Sequence, residues 1–313
     1  MPAIQIEGLV KTFGEVRALD GLSLSVETGS VFGFLGPNGA GKTTTIRILT
    51  GLARATSGRA WVDGVEVTAD RRHSARHVGY LPQDPAFYPW MTGREMLDHV
   101  GRVFGLPAAE RRARVKELLE LAGLTKAARR RIGGYSGGMR HRLGIAQALM
   151  NRPGVLLLDE PVSSLDPVGR KQLLELIERL RGQCTVLMST HILADVERVC
   201  DTVGIIDQGK LVIQAPQQEL LERYAAPAFL VETEEECVPQ LQAWAGGLRS
   251  LPWVASAAVQ KQSARVLVKD LATAKRELAA SAIQAGVILT RYEIGVPSLE
   301  EVFMQLVGEG GDR

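Results

Sequence analysis

An α/β fold built on a buried parallel sheet, followed by a smaller α+β unit, is what this sequence predicts, and three observations predict it. Short runs apolar on both faces, Val31-Phe32-Gly33-Phe34-Leu35, Val155-Leu156-Leu157-Leu158 and Val186-Leu187-Met188, read as strands covered by helices on both sides. Helix-like segments alternate with them at Lys42 to Leu52, Ala108 to Ala122, Gly138 to Met150 and Val168 to Arg181. After the segment Gln217 to Tyr224 the texture changes to shorter strands of alternating polarity around amphipathic helices.

The composition bounds what such a chain can do. Its 313 residues, 45% hydrophobic, suffice for one large or two ordinary cores. The net charge of +2 is spread along the chain, so neither a basic tail nor a basic face predicts a nucleic-acid partner. Cys184, Cys200 and Cys237 form no CxxC pair and are odd in number, which predicts packing residues in a reducing compartment, without zinc or a disulfide framework. The first residues, MPAIQIEGLVKTFGE, carry acids and no apolar leader core. No window reaches the ~18 apolar residues of a membrane span, so the expected location is cytoplasmic, with any membrane association peripheral.

The second unit resolves element by element. A strand at Phe229 to Glu232 precedes a helix at Val238 to Trp244, then strands at Val254 to Gln260 and Arg265 to Lys269. Ala264, Val266 and Val268 alternate against Arg265 and Lys269, which gives that strand a buried face. A helix from Leu271 to Ala285 aligns Leu271, Ala274, Leu278 and Ala282, and Val287 to Ile294 returns as a strand. The order βαββαβ predicts a ferredoxin-like unit. A last helix begins at Ser298, with a Ser298/Glu301 capping box behind Pro297 and a stripe of Val302, Phe303 and Leu306. The expected domains are 1–217, a linker helix at 218–227, and an accessory domain at 228–313.

The chemistry sits in the first unit. Gly36-Pro37-Asn38-Gly39-Ala40-Gly41-Lys42-Thr43-Thr44 fits G-x-x-x-x-G-K-[ST], follows a buried strand and opens a helix, as a phosphate-binding loop requires. Its glycines let backbone N–H groups turn inward around a β-phosphate, while Lys42 reaches the β and γ oxygens. The Thr43 hydroxyl is the expected Mg²⁺ ligand. At the end of another buried strand, Asp159 can hold the metal and Glu160 can polarise an attacking water. A nucleoside triphosphatase follows from these residues.

Tyr135-Ser136-Gly137-Gly138-Met139, shortly before Asp159-Glu160, resembles the signature of ABC ATPases, and the chain is similar to the nucleotide-binding subunits of ABC transporters across Ile4 to Pro216. The resemblance implies a mixed α/β core with an antiparallel β subdomain and a helical subdomain. It assigns Phe13 to stacking on adenine, Gln83 to reporting between Mg²⁺ and a membrane partner, and His191 to the γ-phosphate. Ser163-Ser164-Leu165-Asp166 matches the loop that crosses the dimer interface. It further implies that Ser136, Gly137 and Gly138 close over ATP held by a second subunit, a copy or a paralogue, making two sites per dimer. Ser136 is also read as a helix N-cap.

Departures from the family pattern are Tyr135 and Met139 for the usual leucine and glutamine, and no threonine after Pro161. Tyr-Ser-Gly-Gly-Met followed by Arg140-His141-Arg142-Leu143 resembles the branch serving ABC-2-type exporters, as does the ending Pro297 to Phe303. An integral-membrane permease is the implied partner, received at the aromatic stretch Asp84 to Met91. An importer ATPase with a regulatory C-terminal domain remains an alternative. A soluble ATPase acting on ribosomes or DNA would carry a second motif set or a long coiled-coil insertion, and a subunit without turnover would lack Glu160 or His191.

Overall fold

A computed structural model describes residues 2–68, 76–224, 227–295 and 298–308. Two compact units divide the chain, Met1–Gln217 and Gln218–Arg313.

In the first unit, β1 (Ile4–Phe13), β2 (Val16–Val26), β4 (Ser57–Val62) and β5 (Val65–Glu66) form an antiparallel sheet in the order β2-β1-β4-β5. The central sheet runs β10-β9-β3-β8-β7-β6, from β3 (Val31–Leu35), β6 (Val78–Leu81), β7 (Val155–Asp159), β8 (Thr185–Thr190), β9 (Thr202–Asp207) and β10 (Lys210–Pro216). All its neighbours are parallel except the edge strand β10. Every residue of β3, β7 and β8 is buried, the pattern a helix-covered parallel sheet imposes. Parallel strands place all their carboxyl ends on one edge, where ligands of open α/β sheets bind.

The helices are α1 (Lys42–Leu49), α2 (Gly93–Val103), α3 (Ala108–Leu121), α4 (Gly137–Ala148), α5 (Pro167–Arg179) and α6 (Leu193–Val199). Helix α1 stops short of Leu52 because Gly51 adopts φ 72°, a left-handed turn that ends a helix. Helices α2, α3 and α4 pack against one another. The sequence reading did not place α2, although Thr92 and Glu95 form a reciprocal capping box at its start.

The second unit begins in α7 (Gln217–Tyr224). Strands β11 (Ala228–Thr233), β12 (Val254–Gln260), β13 (Ser263–Val268) and β14 (Leu289–Gly295) form an antiparallel sheet in the order β12-β13-β11-β14. With α8 (Val238–Leu248) and α9 (Leu271–Gln284) this is the expected βαββαβ unit. Phe229, Val231, Val266 and Val268 from the sheet meet Leu241, Trp244, Ala274, Leu278 and Ala282 from the helices in one core. The Trp244 indole N–H donates to Ser281 Oγ at 3.0 Å, tying α8 to α9. The final strand starts at Leu289, two residues later than the apolar run suggests, because Val287 packs into the core from the turn. Helix α10 (Leu299–Gly308) buries Leu299 and Val302; Pro297 and the Glu301 side chain of the expected capping box lie outside the described residues.

Candidate nucleotide site

The loop between β3 and α1 is shaped by glycines that no other residue could replace in place. A Cβ at Gly36 would lie 2.3 Å from the Ile206 carbonyl oxygen, and one at Gly41, where φ is 107°, 2.7 Å from that of Ala18. The loop folds back on its own lysine: Lys42 Nζ donates to the Gly36 carbonyl at 2.7 Å and the Pro37 carbonyl at 3.1 Å. Lys42 is 5% exposed, so its charge is held by the loop and by Glu160 Oε1 at 3.3 Å.

Four neighbouring strands, β3, β8, β7 and β6, deliver the remaining groups to the same edge. Thr43 and Asp159, 116 residues apart, meet through the Thr43 hydroxyl, which donates to Asp159 Oδ1 at 3.0 Å. Ser189, paired with Asp159 across the β7–β8 ladder, donates to the same oxygen at 2.8 Å and accepts from the Glu160 N–H at 3.0 Å. Glu160 itself takes φ 46°, a left-handed conformation costing a non-glycine residue about 1–3 kcal/mol and one that concentrates at functional sites. That turn aims its carboxylate between two partners: Oε1 faces Lys42, and Oε2 lies 2.9 Å from His191 Nδ1. The carboxylate is 9% exposed and the Lys42 side chain 6%, so that contact acts with little solvent screening, whereas the His191 ring is 46% exposed. Burial first, and then the Asp159 charge, push the neighbouring Tyr80 phenol above its ordinary range.

A cavity of about 250 Å³ is lined by Asn38 through Thr44, Gln83, Glu160 and His191. Its oxygen donors are hard ligands, as Mg²⁺ requires. Among the described residues no cluster of three His, Cys, Asp or Glu side chains could hold a metal alone. An ion here would be completed by phosphate oxygens and water, the usual mode for Mg²⁺ at a nucleotide.

Phe13, Ser136, Gly137, Gly138 and Asp166 do not line that cavity. Phe13 is 53% exposed with the Lys11 ammonium 4.6 Å from its ring centre, which excludes a core role. Ser136 caps α4, its hydroxyl accepting from Met139 N–H at 3.3 Å. Asp166 caps α5 by accepting from Gly169 N–H at 3.2 Å. The two helix starts touch, since a Cβ at Gly138 would stand 3.1 Å from Gly169 Cα. Tyr135, the departure from leucine, is buried and donates its hydroxyl to the Ala127 carbonyl at 2.8 Å. Ser189 was the residue the sequence hid: only its ladder position opposite Asp159 gives it a task.

Sequence comparison decides the family. The ABC transporter profile matches residues 19–163, and a profile for the C-terminal domain of DrrA1-3-like ATP-binding proteins matches 216–307. An uncharacterised ABC transporter ATP-binding protein, YxlF of Bacillus subtilis, is 40% identical over 97% of this chain and 99% of its own. The chain belongs to the ABC transporter ATP-binding proteins. The daunorubicin resistance ATP-binding protein DrrA2 of Streptomyces coeruleorubidus is 36% identical over 98% of this ABC subunit and 95% of its own length. Among solved structures, cbiO1 from Clostridium perfringens, part of a cbiONQ transporter complex, superposes with TM-score 0.66 at 26% identity over 71% of this chain and 91% of that one. The cassette MJ0796, solved as a dimer bound to ADP and Pi, gives TM-score 0.61 at 25% identity over 68% and 98%.

As an ABC ATPase the chain binds and hydrolyses ATP, and no described helix is long and apolar enough to cross a membrane. Beside its α2 and α3 helices opens a cavity of about 710 Å³ bordered by Trp90, Met91, Arg94 and Arg112. The rings of Tyr88 and Trp90 lie 5.1 Å apart, tilted by 38°, and are 50% and 65% exposed, while Pro85 and Phe87 of the same stretch are half-buried beside Gly144 of α4. Cys184, Cys200 and Cys237 are all buried and unbridged, and burial lifts the Cys184 thiol to about 11.

Proposed function

We propose that this chain is the ATP-hydrolysing subunit of an ABC-2-type exporter, working from the cytoplasmic face of the membrane on a separate permease. The observation carrying the chemistry is Glu160, held between Lys42 and His191 beside the Thr43–Asp159 pair. Phosphate oxygens would take the places of the Gly36 and Pro37 carbonyls at Lys42, and would leave Glu160 facing a water at the γ-phosphorus. Glu160 then accepts a proton from that water as its oxygen bonds to phosphorus and the bridging oxygen leaves with ADP. His191, on the second oxygen, keeps the carboxylate aimed. Thr43, Asp159 and Gln83 are the groups that would hold Mg²⁺, which supplies charge neutralisation on the β and γ phosphates when bound.

Export is favoured by the C-terminal match to the DrrA-like domain and by relatives named for linearmycin resistance, daunorubicin resistance and bacitracin transport. The same match weighs against the importer alternative. The nucleotide is closed head to tail by Ser136, Gly137 and Gly138 of a second copy or a paralogous subunit, with Asp166 at the interface and Phe13 on the adenine. That Ser136, Gly137 and Gly138 do not line the phosphate cavity of their own chain supports their serving the nucleotide of a second one. The exposed Tyr88–Trp90 pair is the surface for the permease, and residues 228–313 act as an accessory domain reached through a linker that begins in α7; residues 225 and 226 of the expected linker helix 218–227 lie outside the described residues.

The test is Glu160→Gln, purified from detergent-solubilised membranes with ATP and Mg²⁺. We expect an ATP-bound dimer that carries a polytopic permease and turns over at least ~100-fold more slowly than the parent. Unchanged turnover removes Glu160 from its role, and a partner other than a membrane protein removes the transport assignment.

A further inference from the structure

His141 lies on α4, one turn beyond the helix start, and is only 4% exposed. It is not part of the phosphate cavity. Its Nδ1 lies 3.0 Å from the Gly137 carbonyl of its own helix, and its Nε2 lies 3.1 Å from the Gln83 carbonyl, 58 residues away in sequence. Both ring nitrogens therefore face acceptors, and an imidazole can donate to a carbonyl oxygen only from a nitrogen that carries a proton. A proton on Nε2 makes the bond to Gln83, one on Nδ1 the bond to Gly137, and the doubly protonated ring makes both.

The loop at the far end of that bond is part of the nucleotide site, because Gln83 lines the cavity with the phosphate loop, Glu160 and His191. Its near end is the helix whose first residues are capped by Ser136. The same helix packs hard on the strand leading to Gln83: a Cβ at Gly144 would lie 2.4 Å from Cδ1 of the fully buried Leu81. Gly144 holds the helix body against β6, and His141 fixes the part nearest Ser136 to the loop. Packing alone leaves a helix end free to tilt, whereas a directional bond to one carbonyl sets its pose.

We infer that His141 is a positioning residue that ties the Ser136-Gly137-Gly138 end of α4 to Gln83 of the same chain, so that nucleotide in one pocket orients the helix end that closes the other. This rests on the head-to-tail dimer proposed above. In each chain Gln83 borders that chain's own nucleotide, while the α4 end serves the nucleotide of the second subunit. A bond between them is a direct path by which one site can bias the other.

Two amides separate the bonds. In His141→Asn the side-chain amide occupies the place of Nδ1, keeping Gly137 but falling short of Gln83; in His141→Gln the amide reaches the place of Nε2 and restores the bond to Gln83. Both keep the buried position polar, so neither leaves a cavity of different chemistry. Each is made in the Glu160→Gln background, and ATP-driven dimer formation with Mg²⁺ is followed by light scattering. ATP affinity of the single chain is measured separately, at protein concentrations too low to dimerise.

The expected result is that His141→Asn raises the ATP concentration for half-maximal dimer about tenfold, in line with one buried hydrogen bond, leaving single-chain affinity unchanged. His141→Gln keeps it within about twofold of the parent, as an equivalent bond should. Equal dimerisation curves for all three overturn the inference, as does a His141→Asn shift matched by lost single-chain affinity, or an equal shift in His141→Gln. If the Glu160→Gln parent itself fails to dimerise, the head-to-tail reading has failed, a different result from failure of the tie.

Discussion

Three glycines of the first unit and two of the second stand in contrast. In Met1–Gln217, Gly36, Gly41 and Gly144 stand where an added Cβ would strike a backbone carbonyl or a buried side chain within 2.3 to 2.7 Å. In Gln218–Arg313, Gly246 and Gly247 sit exposed in α8 with nothing within 4 Å of the same position. The first unit is constrained residue by residue, because a phosphate site needs backbone N–H groups, a lysine and two carboxylates at fixed places. The second is constrained by pattern: its core asks for apolar side chains at period two or 3.6, and many sequences would meet that demand.

The largest effect that sharpens the contrast is expected from the second unit's core. Phe229 is fully buried and stands 5.5 Å, ring to ring, from Tyr292. Phe229→Ala should destabilise that unit by about 3–5 kcal/mol, the usual cost of emptying a buried aromatic site. Hydrogen exchange should show α8, α9 and β11 to β14 opening, while protection in β3, β7 and β8 and the affinity for ATP stay as they were. Loss of ATP affinity would break the comparison, because the second unit would then be holding the nucleotide site in shape.

Gly36→Ala comes next, and acts in the other unit. The methyl group would meet the Ile206 carbonyl, which belongs to β9 and cannot move aside as a flexible side chain can. We expect about 1–3 kcal/mol of destabilisation confined to residues 2–217 and loss of ATP binding by titration, since the loop must open to admit the methyl. Wild-type affinity in this variant would show that the loop reshapes at no cost, and would place the constraint elsewhere.

The same contrast explains what could be read in advance. The phosphate loop and Asp159-Glu160 were legible because their chemistry admits few residue types, whereas Gln83 and His191 were picked out only by the resemblance to ABC ATPases; the structure brings Asn38 to Thr44, Gln83, Glu160 and His191 to one cavity lining, with Asp159 bonded to Thr43. Ser189 was not legible, since a serine in an apolar strand has many uses and only the β7–β8 register puts it under Asp159. His141 was invisible for the same reason: both its partners are backbone carbonyls, which have no sequence identity. Helix α2 was missed although Thr92 and Glu95 signal its start, because its apolar residues are sparse and Trp90 and Met91 before it read as loop. In the second unit the order of elements was readable from periodicity alone, and strand ends erred by about two residues where core residues such as Val287 extend into turns.

The smallest effect tests the open end of the comparison and has the opposite sign. Gly246 and Gly247 lie inside α8 near its C-terminal end, neither has positive φ, and Trp244, Ala245 and Leu248 around them already carry the buried face. Glycine there leaves backbone freedom in the unfolded chain that alanine removes, and the added methyl groups meet nothing. Gly246→Ala and Gly247→Ala should each stabilise the second unit by about 0.5–1 kcal/mol in urea unfolding. Turnover of the ATPase should be unchanged if that surface of α8 is free. If either variant is more stable yet hydrolyses ATP at a different rate, then the glycine pair is kept for a contact that a methyl group obstructs, and the second unit carries residue-level constraints of its own after all.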